Sequence, residues 1–388
     1  MKIKNICVVT GSRAEYGLLK PLLTKIKASK NYNLQLVVTG MHLSKKFGNT
    51  INEIENDNFN IFQKIDILPE KKSNFYVGKT ISNGIEQFSK FFIKHSPDIL
   101  IVLGDRYEIF ACSAAAYFLK IPIAHINGGE TTEGAFDEGI RHSITKMSYL
   151  HFTSTENYKK RVIQLGEDPN RVFNVGGLFL DSIKESKILS KKELESDLNI
   201  VLQKKNLIVT YHPETLSSKS QKKSFTELLN ALHVKNDINL IFTSPNADPG
   251  NDEIFEAINS FVRKNRHRSS SFKSLGHLRY FSLLNYVDGV IGNSSSGITE
   301  APAFNIGTIN IGDRQTGRIK GESIIDCDSD AAAIEYAINK LYSKNFQSII
   351  KDIKSPYGDG TASLKILDTI SKISIKDNMI KSFYDINI

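Results

Sequence analysis

Short apolar runs alternate with amphipathic stretches along the whole chain. Residues 3–10 form an apolar, β-branched run, and residues 18–28 then place leucine and isoleucine at helical spacing. Residues 98–104 (DILIVLG) form a continuous apolar run, as expected for a strand buried on both faces of a parallel sheet. The same alternation continues to the helix predicted at residues 362–375. It predicts an α/β protein built on parallel sheets.

The alternation restarts in the second half of the chain. A strongly charged stretch at residues 191–197 is followed by a new apolar strand at residues 207–210. A chain of 388 residues is also too long for one core. We therefore expect two Rossmann-like domains facing across a cleft, the GT-B arrangement. The expected parts are residues 1–188, residues 189–360, and a C-terminal helix in residues 361–388 that packs back on the first domain.

Composition and charge exclude several classes of protein. The formal charge of +8 is spread along the chain without a basic block, so nucleic-acid binding is not expected, whereas an anionic small substrate is compatible. Cys7, Cys112 and Cys327 are predicted to be buried thiols, neither disulfide-bonded nor metal-binding. No apolar run resembles a signal peptide or a membrane span of ~18 residues, which predicts a cytoplasmic protein without a membrane partner.

Residues 288–318 carry the clearest binding pattern. A short apolar strand leads into GNSSSG (292–297), and Ser294 or Ser295 is expected to cap a helix over residues 298–304. Backbone N–H groups at a helix start bind phosphate. Glu300 is placed to reach a ribose diol, and Arg314 adds a fixed positive charge. Together these groups suit a nucleotide diphosphate, and the alternative is a purely structural helix with a serine cap.

Polar side chains also follow several strands predicted in the first half. Because the carboxyl ends of parallel strands share one edge of a sheet, these side chains are expected to form a site there. The first βα turn lacks GxGxxG, so a dinucleotide cofactor is not expected. For Arg13 an exposed loop charge is the alternative, and for His42 a structural role. The candidates are Arg13, His42, Asp105, Glu130, Asp137 and Arg141.

Eight motifs, in order along residues 10–318, resemble those of one enzyme family. They are GSRAEYG, VTGMH, GDRYE, HINGGE, DEGIRHSITK, HPETL, GNSSSG and GDRQTGR. In combination they resemble the hydrolysing UDP-N-acetylglucosamine 2-epimerases of bacterial sialic-acid and capsule biosynthesis, the NeuC type. The resemblance implies a GT-B fold and the conversion of UDP-N-acetylglucosamine and water into N-acetylmannosamine and UDP, the first step of sialic-acid synthesis. It implies no metal and no redox cofactor, and we expect a homo-oligomer, a dimer or a tetramer.

The resemblance also implies roles for individual residues. UDP would be held, mainly by the second domain, through Arg13, Arg106, Asn246, Ser294, Ser295, Glu300 and Arg314. The sugar would be surrounded by Asp105, Asp137 and Arg141 of the first domain and by His212 of the second, with His42 nearby. Many relatives have Glu at the third position of HI-x-GGE, where this chain has Asn127. Asn cannot act as a base, so Glu130 is the expected substitute.

The reaction itself calls for carboxylates beside the sugar. The C2 hydrogen becomes acidic only when UDP leaves and oxocarbenium character develops; loss of the proton then gives a glycal, to which water adds. Asp105, Glu130 and Asp137 are the candidates for moving these protons, because carboxylates held close together raise one another's pKa. His212 would contact phosphate or shuttle a proton. The residues leave open which carboxylate takes the C2 proton.

Four other functions are compatible with parts of this sequence pattern. The first is a sibling enzyme acting on UDP-2,4-diacetamido-2,4,6-trideoxy-glucose in legionaminic acid synthesis. The second is a GT-B glycosyltransferase, which would not need several carboxylates at the facing strand ends. The others are a UDP-sugar sensor without activity, which the intact Asp105, Asp137 and His212 disfavour, and a non-hydrolysing epimerase.

Overall fold

The computed structural model describes residues 3–45, 48–70, 75–131, 136–212, 221–243, 251–273, 275–351, 353–373 and 380–386. The chain forms two compact units. One comprises Met1–Glu185 together with Tyr357–Ile388, and the other comprises Ser186–Pro356.

In the first unit the described residues form a seven-stranded parallel sheet with the order β3-β2-β1-β4-β5-β6-β7. The strand order reverses between β1 and β4, which is where open α/β sheets bind ligands. The strands are β1 (Lys4–Thr10), β2 (Tyr32–Thr39), β3 (Ile61–Ile65), β4 (Ile99–Leu103), β5 (Ile123–Ile126), β6 (Leu150–Thr153) and β7 (Val172–Asn174). The helices are α1 (Arg13–Ala28), α2 (Ile51–Asn56), α3 (Tyr76–His95), α4 (Tyr107–Phe118), α5 (Phe136–Met147), α6 (Glu156–Gln164) and α7 (Leu178–Glu185).

The described residues of the second unit form a six-stranded parallel sheet with the order β10-β9-β8-β11-β12-β13. Here the order reverses between β8 and β11. The strands are β8 (Asn206–Thr210), β9 (Asn239–Thr243), β10 (Ser269–Phe272), β11 (Gly289–Gly292), β12 (Gly307–Ile311) and β13 (Ile324–Cys327). The helices are α8 (Lys191–Leu198), α9 (Gln221–Val234), α10 (Asn251–Lys264), α11 (Gly276–Leu284), α12 (Ser295–Thr299), α13 (Ala331–Leu341) and α14 (Lys344–Ile350).

The last helix, α15 (Ala362–Lys372), returns to the first unit and packs on α1 and α7. Its first turn is held by the buried carboxylate of Asp181, which accepts hydrogen bonds from the backbone N–H groups of Ala362 at 2.9 Å and Ser363 at 2.8 Å. A carboxylate at this end also favours the helix dipole. Asp181 therefore joins the C-terminal helix to α7.

The central strand β4 shows how the first sheet is buried on both faces. Ile99, Ile101 and Leu103 belong to the apolar core beneath α1 and α15, whereas Leu100 and Val102 belong to the core beneath α3 and α4. Successive side chains of a strand point to opposite faces, so a strand covered on both sides must be apolar at every position. The predicted parallel α/β architecture is thus confirmed in both units.

Two local details differ from the predictions. Residues 191–197, the charged stretch expected to mark the domain boundary, form α8, which begins with a reciprocal capping box between Ser190 and Glu193. The two units divide a few residues earlier, between Glu185 and Ser186. The helix predicted over residues 298–304 is divided into the short α12 and a 3₁₀ turn at Ala301–Phe304. Pro302 explains the division, because it cannot donate the backbone hydrogen bond that a continuing α-helix needs.

Within the described residues we find free cysteines, no metal-binding cluster and no membrane-spanning helix. Cys7 and Cys112 are buried as predicted, Cys327 is only half-buried, and all three thiols are free. Within the described ranges, no group of three His, Cys, Asp or Glu side chains is arranged to hold a metal ion. None of the helices in those ranges combines the length and apolar character that a membrane crossing requires.

Residues 380–386 lie against the end of α5. Lys381 Nζ donates to the carboxylate of Glu167 and to the carbonyl of Ser148, each at 2.6 Å. Glu167, almost fully buried, also accepts hydrogen bonds from Lys146 at 2.6 Å and from His151 at 2.9 Å. Burial opposes the ionisation of Glu167, but the hydrogen bonds and charges of His151, Lys146 and Lys381 outweigh it and lower the pKa to about 2.

Glu167→Gln is expected to make the first unit less stable at pH 7 and less sensitive to acid. A carboxylate with a lowered pKa stabilises the fold above its unfolded pKa of about 4.3, and this stabilisation is lost as the pH falls towards 2. It amounts to on the order of 3 kcal/mol. The test is the melting temperature at pH 7 and pH 3. Glu86→Gln, which removes an exposed carboxylate paired with Lys90, is the control and should change neither value. An unchanged acid sensitivity in Glu167→Gln would contradict the prediction.

Candidate active site

Asp105 and Arg141 form an ion pair at the edge of the first unit's sheet where the carboxyl ends of the strands lie. Asp105 follows β4, and Arg141 lies on the second turn of α5. Nε of Arg141 donates to Oδ2 of Asp105 at 2.8 Å, and Nη2 contacts the same oxygen. Nη1 donates to the carbonyl of Glu130 at 2.7 Å and to the carboxylate of Glu138 at 2.6 Å. The buried guanidinium therefore ties together the ends of β4 and β5 and the start of α5.

Glu130 and Asp137 lie beside this pair. Oε1 of Glu130 accepts a hydrogen bond from the Ser154 hydroxyl at 3.0 Å. Asp137 lies in the first turn of α5. Partial desolvation and then the Asp105 carboxylate raise the pKa of Asp137, against the opposing charges of Arg106 and Arg141. Asp105 and Asp137 are thus close enough for the charge of Asp105 to affect the protonation of Asp137, and Glu130 is joined to the same Arg141 through its backbone carbonyl. Ser154 was not predicted, although it follows β6 as Asp105 follows β4.

Arg106 is held by two buried carboxylates at the reversal of strand order. Its Nε donates to Oε1 of Glu108 at 2.6 Å and lies 3.9 Å from Oε1 of Glu15. Burial, and then the charge of Glu108, raises the pKa of Glu15 to about 8. Gly11 makes room for this group, because a Cβ there would lie 2.6 Å from Cγ of Glu108. The sequence motifs contain both glutamates but gave no reason to pair them with Arg106.

His42 and Arg13 occupy contrasting environments. The imidazole of His42 is fully buried, with Nε2 3.1 Å from the Thr10 hydroxyl and Nδ1 2.8 Å from the Thr50 hydroxyl. Burial lowers the pKa of His42 to about 4, so the ring is neutral at physiological pH. Arg13 is largely exposed, and its Nε lies 2.9 Å from the Glu53 carboxylate. Contact of either side chain with substrate stays a prediction.

Asn127 has an unusual backbone conformation at the end of β5. Its φ of +66° lies in the left-handed region, which Asn adopts more readily than most residues with a Cβ. Its N–H donates to the carbonyl of Phe152 at 2.9 Å. Among the described residues, no donor reaches its buried Oδ1. The residue that replaces the expected Glu is therefore also one that suits this backbone.

In the second unit, Asn293 links three strand ends. Its side chain accepts a hydrogen bond from the His212 N–H at 2.7 Å and donates to the His212 carbonyl at 2.8 Å. Its own carbonyl accepts from Nη1 of Arg314 at 3.0 Å and from Nε2 of Gln315 at 2.9 Å. Burial and the charge of Arg314 lower the pKa of His212 to about 4. His212 and Arg314 are thus brought together, through Asn293 and Gln315, which were not predicted.

Gly292 allows this arrangement. Its φ of +141° is a conformation that L-residues with side chains rarely adopt. A Cβ at this position would lie 1.8 Å from the carbonyl oxygen of Thr210. The end of β11 can therefore approach the end of β8 only because residue 292 has no side chain.

The serine-rich turn differs in part from the prediction. Ser294 takes the N-cap position of α12, but in the described structure its side chain makes no capping hydrogen bond. Ser296 instead bonds to both the Tyr280 hydroxyl and the Glu300 carboxylate, each at 2.5 Å. Burial raises the pKa of Glu300, and the hydrogen bond from Ser296 opposes that change. Phosphate binding by Ser294 and Ser295 stays a prediction, and Asn246 lies outside the described residues.

A known family profile matches most of this chain. The sequence profile described as UDP-N-acetylglucosamine 2-epimerase matches residues 24–371. The chain belongs to the UDP-N-acetylglucosamine 2-epimerase family. The resemblance predicted from the eight motifs is therefore confirmed.

Two curated relatives match the epimerase chain over almost its full length. It is 43% identical to the polysialic acid biosynthesis protein P7 of Escherichia coli, covering 99% of this chain and 98% of the relative. It is 42% identical to a hydrolysing GDP/UDP-N,N′-diacetylbacillosamine 2-epimerase of Campylobacter jejuni, covering 100% of both chains.

A solved structure supports the fold of this epimerase. The UDP-GlcNAc 2-epimerase of Neisseria meningitidis, crystallised with UDP-GlcNAc, matches with a TM-score of 0.77 and 19% identity, covering 95% of this chain and 100% of that one. At this identity the match establishes the fold alone. The predicted GT-B-like α/β class is confirmed by this match together with the two parallel sheets.

Proposed function

We propose that this chain is a hydrolysing 2-epimerase that converts UDP-N-acetylglucosamine and water into N-acetylmannosamine and UDP. One observation carries the proposal. In a member of the epimerase family, Asp105 is held by Arg141 at the carboxyl end of β4, and its charge raises the pKa of neighbouring Asp137. A pair of carboxyl groups held close together can supply one acid and one base. Elimination followed by addition of water needs both.

The side chains divide the work between leaving group and sugar. Arg314 and the backbone N–H groups of Ser294 and Ser295 would stabilise the departing diphosphate, and Glu300 would accept hydrogen bonds from the ribose. Asp105, Glu130 and Asp137 would handle protons at C1 and C2. His212 is neutral at physiological pH, so it would act as a hydrogen-bond partner or proton shuttle without adding permanent charge. Arg13, Arg106, Arg141, His42 and Asn246 complete the predicted substrate contacts.

A second candidate substrate is UDP-N,N′-diacetylbacillosamine, the diacetamido-trideoxy sugar considered above. It is favoured by the name of the Campylobacter jejuni relative, whereas the name of the Escherichia coli relative favours the polysialic acid route. The rate of UDP release from each of the two UDP-sugars decides between them. A dimer or tetramer and a cytoplasmic location complete the proposal.

Turnover of UDP-N-acetylglucosamine in D₂O is expected to give N-acetylmannosamine with deuterium at C2. Elimination removes the C2 proton, and its replacement comes from an exchangeable group. In H₂¹⁸O the label should enter C1 and not UDP, because the C1–O bond breaks. An early NMR spectrum and the mass of UDP give the two readouts. Direct hydrolysis or glycosyl transfer would retain the C2 hydrogen, so retention of that hydrogen, or ¹⁸O in UDP, would overturn the mechanism.

Asn127→Glu is expected to keep turnover within a few-fold of wild type while lowering stability by about 1 kcal/mol, because Glu tolerates the left-handed backbone less well than Asn. Glu130→Gln should instead lower turnover by about 100-fold, since Gln can still accept from Ser154 but cannot take up a proton. Steady-state UDP release and melting temperatures measure both effects. Glu130→Gln with normal turnover would show that Glu130 has not replaced the missing carboxylate.

A further inference from the structure

His125 is a fully buried histidine whose two ring nitrogens both contact elements of the candidate active site. It is the third residue of β5. Nε2 lies 2.8 Å from the carbonyl oxygen of Gly104, and Nδ1 lies 3.1 Å from the hydroxyl of Thr145. Gly104 immediately precedes Asp105, and Thr145 lies one helical turn after Arg141 on α5. The imidazole thus bridges the two segments that carry the central ion pair.

The hydrogen bonds fix the tautomer of this ring. Burial lowers the pKa of His125 to about 3, so at neutral pH the imidazole carries one proton. A carbonyl oxygen can only accept, so the proton lies on Nε2 and is donated to Gly104. Nδ1 is then an acceptor that faces the Thr145 hydroxyl. The same hydroxyl lies within hydrogen-bond distance, 3.0 Å, of the Arg141 carbonyl and could donate its one proton there instead. With the His125 proton on Nε2, we assign the Thr145 proton to Nδ1, because Nδ1 faces no other donor among the described residues, whereas in a helix the Arg141 carbonyl already accepts the N–H four residues on.

Together these contacts form a ring of hydrogen bonds and chain connections that begins and ends at Asp105. Asp105 accepts from Arg141, Arg141 lies beside Thr145 on α5, and Thr145 donates to His125. His125 donates to Gly104, whose own N–H donates to the Ile126 carbonyl at 3.0 Å. Gly104 adopts φ +77°, so this turn directly sets the direction in which Asp105 leaves β4. Both the N–H and the carbonyl of the residue before Asp105 are therefore held by β5.

We infer that His125 is a positioning residue for catalysis: by joining Gly104 to Thr145 it fixes the Asp105 carboxylate against Arg141. The inference rests on the proposed function, because it takes Asp105 to act on the sugar. A displacement of about 1 Å at a reacting group can cost about 100-fold in rate, so a residue without substrate contact can affect turnover this strongly.

His151 provides a matched control for His125. The two histidines are register partners on adjacent strands, and both are fully buried. His151 contacts Glu167 at 2.9 Å, at the site where Lys146 and Lys381 also bind, and not the turn before Asp105. His125→Leu and His151→Leu should both lower the melting temperature. Only His125→Leu should lower kcat for UDP release, by about 100-fold, with the affinity for UDP unchanged within about threefold. Equal kcat values in the two folded variants would overturn the inference.

Thr145 gives a milder test that does not depend on how well a histidine variant folds. Thr145→Val keeps the side-chain shape and removes the donor to Nδ1, whereas Thr145→Ser keeps the hydroxyl. We expect kcat to fall about 10-fold in Thr145→Val, with KM little changed, and to recover in Thr145→Ser. Thr145→Val with the activity of Thr145→Ser would overturn the inference.

An NMR measurement separates this inference from the proposed function. In protein labelled with ¹⁵N-histidine, the signal absent from His125→Leu is expected to be that of an Nε2–H tautomer that does not titrate between pH 5 and pH 8. If wild-type protein releases no UDP from either UDP-sugar, the proposed function fails while this spectrum still tests the hydrogen-bonded geometry. An Nδ1–H tautomer, or titration in that range, would refute the positioning role whatever the activity.

Discussion

Asp105→Asn is expected to lower the turnover of the UDP-sugar by about 100-fold or more, a typical effect of losing an acid–base group. Asn is close in size to Asp, and its carbonyl oxygen can still accept from Arg141, so the buried guanidinium keeps a partner. What Asn cannot do is take up a proton or offset positive charge at the sugar. UDP binding should survive, and initial rates of UDP release with a parallel UDP titration measure both quantities.

Asp137→Asn is expected to have a similar effect, because Asp137 lies close enough to Asp105 for that charge to raise its pKa, and Asn can neither take up nor release a proton there. Asp98→Asn is the matched control for Asp105→Asn. Asp98 lies just before β4 as Asp105 lies just after it, and its carboxylate accepts the Asn5 N–H at 2.7 Å. The control should retain wild-type turnover. Near-normal turnover in both Asp105→Asn and Asp137→Asn would remove the carboxylates from the chemistry.

Arg314→Ala is expected to abolish most of the increase in melting temperature that UDP produces. A ligand at 100 times its Kd stabilises the folded state by about 2.7 kcal/mol. If the loss of the guanidinium weakens UDP binding about 100-fold, the same concentration gives only about 0.4 kcal/mol. The apo protein should remain folded, because Gln315 still donates to the Asn293 carbonyl. Melting curves with and without UDP measure the change.

Arg279→Ala removes the same charge from another part of the second unit and serves as the control. Arg279 lies on α11 and pairs with Asp197 at 2.7 Å. It should keep the full UDP-induced shift. An unchanged shift in Arg314→Ala would exclude Arg314 from the UDP site. Equal losses in both variants would mean that the shift reports net charge and not a specific contact.

The elements that could be predicted from sequence are those whose burial leaves a continuous or periodic apolar signal. The run at residues 98–104 matches β4 to within a residue or so at each end. The edge strand β3 was missed, because its middle residues Phe62, Gln63 and Lys64 are all exposed and two of them are polar, so no continuous or alternating apolar signal marks it. Helix α8 was missed because its charge content resembles a linker, although Ser190 and Glu193 form a capping pattern that is visible in the sequence.

At the candidate site, the sequence predicted which residues lie together at one edge of the sheet. It did not predict the hydrogen-bond partners of those residues. Arg141 was assigned to substrate, yet its guanidinium is buried and bonded to Asp105, 36 positions earlier, and to Glu130 and Glu138. The topology of parallel strands predicts the shared edge. The choice of partner depends on loop conformation and on burial, which no local pattern encodes.

Gly292 also limits how this protein can evolve or be engineered. Every other amino acid carries a Cβ, and at residue 292 that atom would lie 1.8 Å from the Thr210 carbonyl oxygen. Each missense change in its codon is therefore expected to displace the segment that holds Asn293, His212 and Arg314. A mutagenesis library intended to alter sugar-nucleotide preference should leave this codon fixed. Its diversity is better placed at neighbouring positions whose side chains do not determine the path of the backbone.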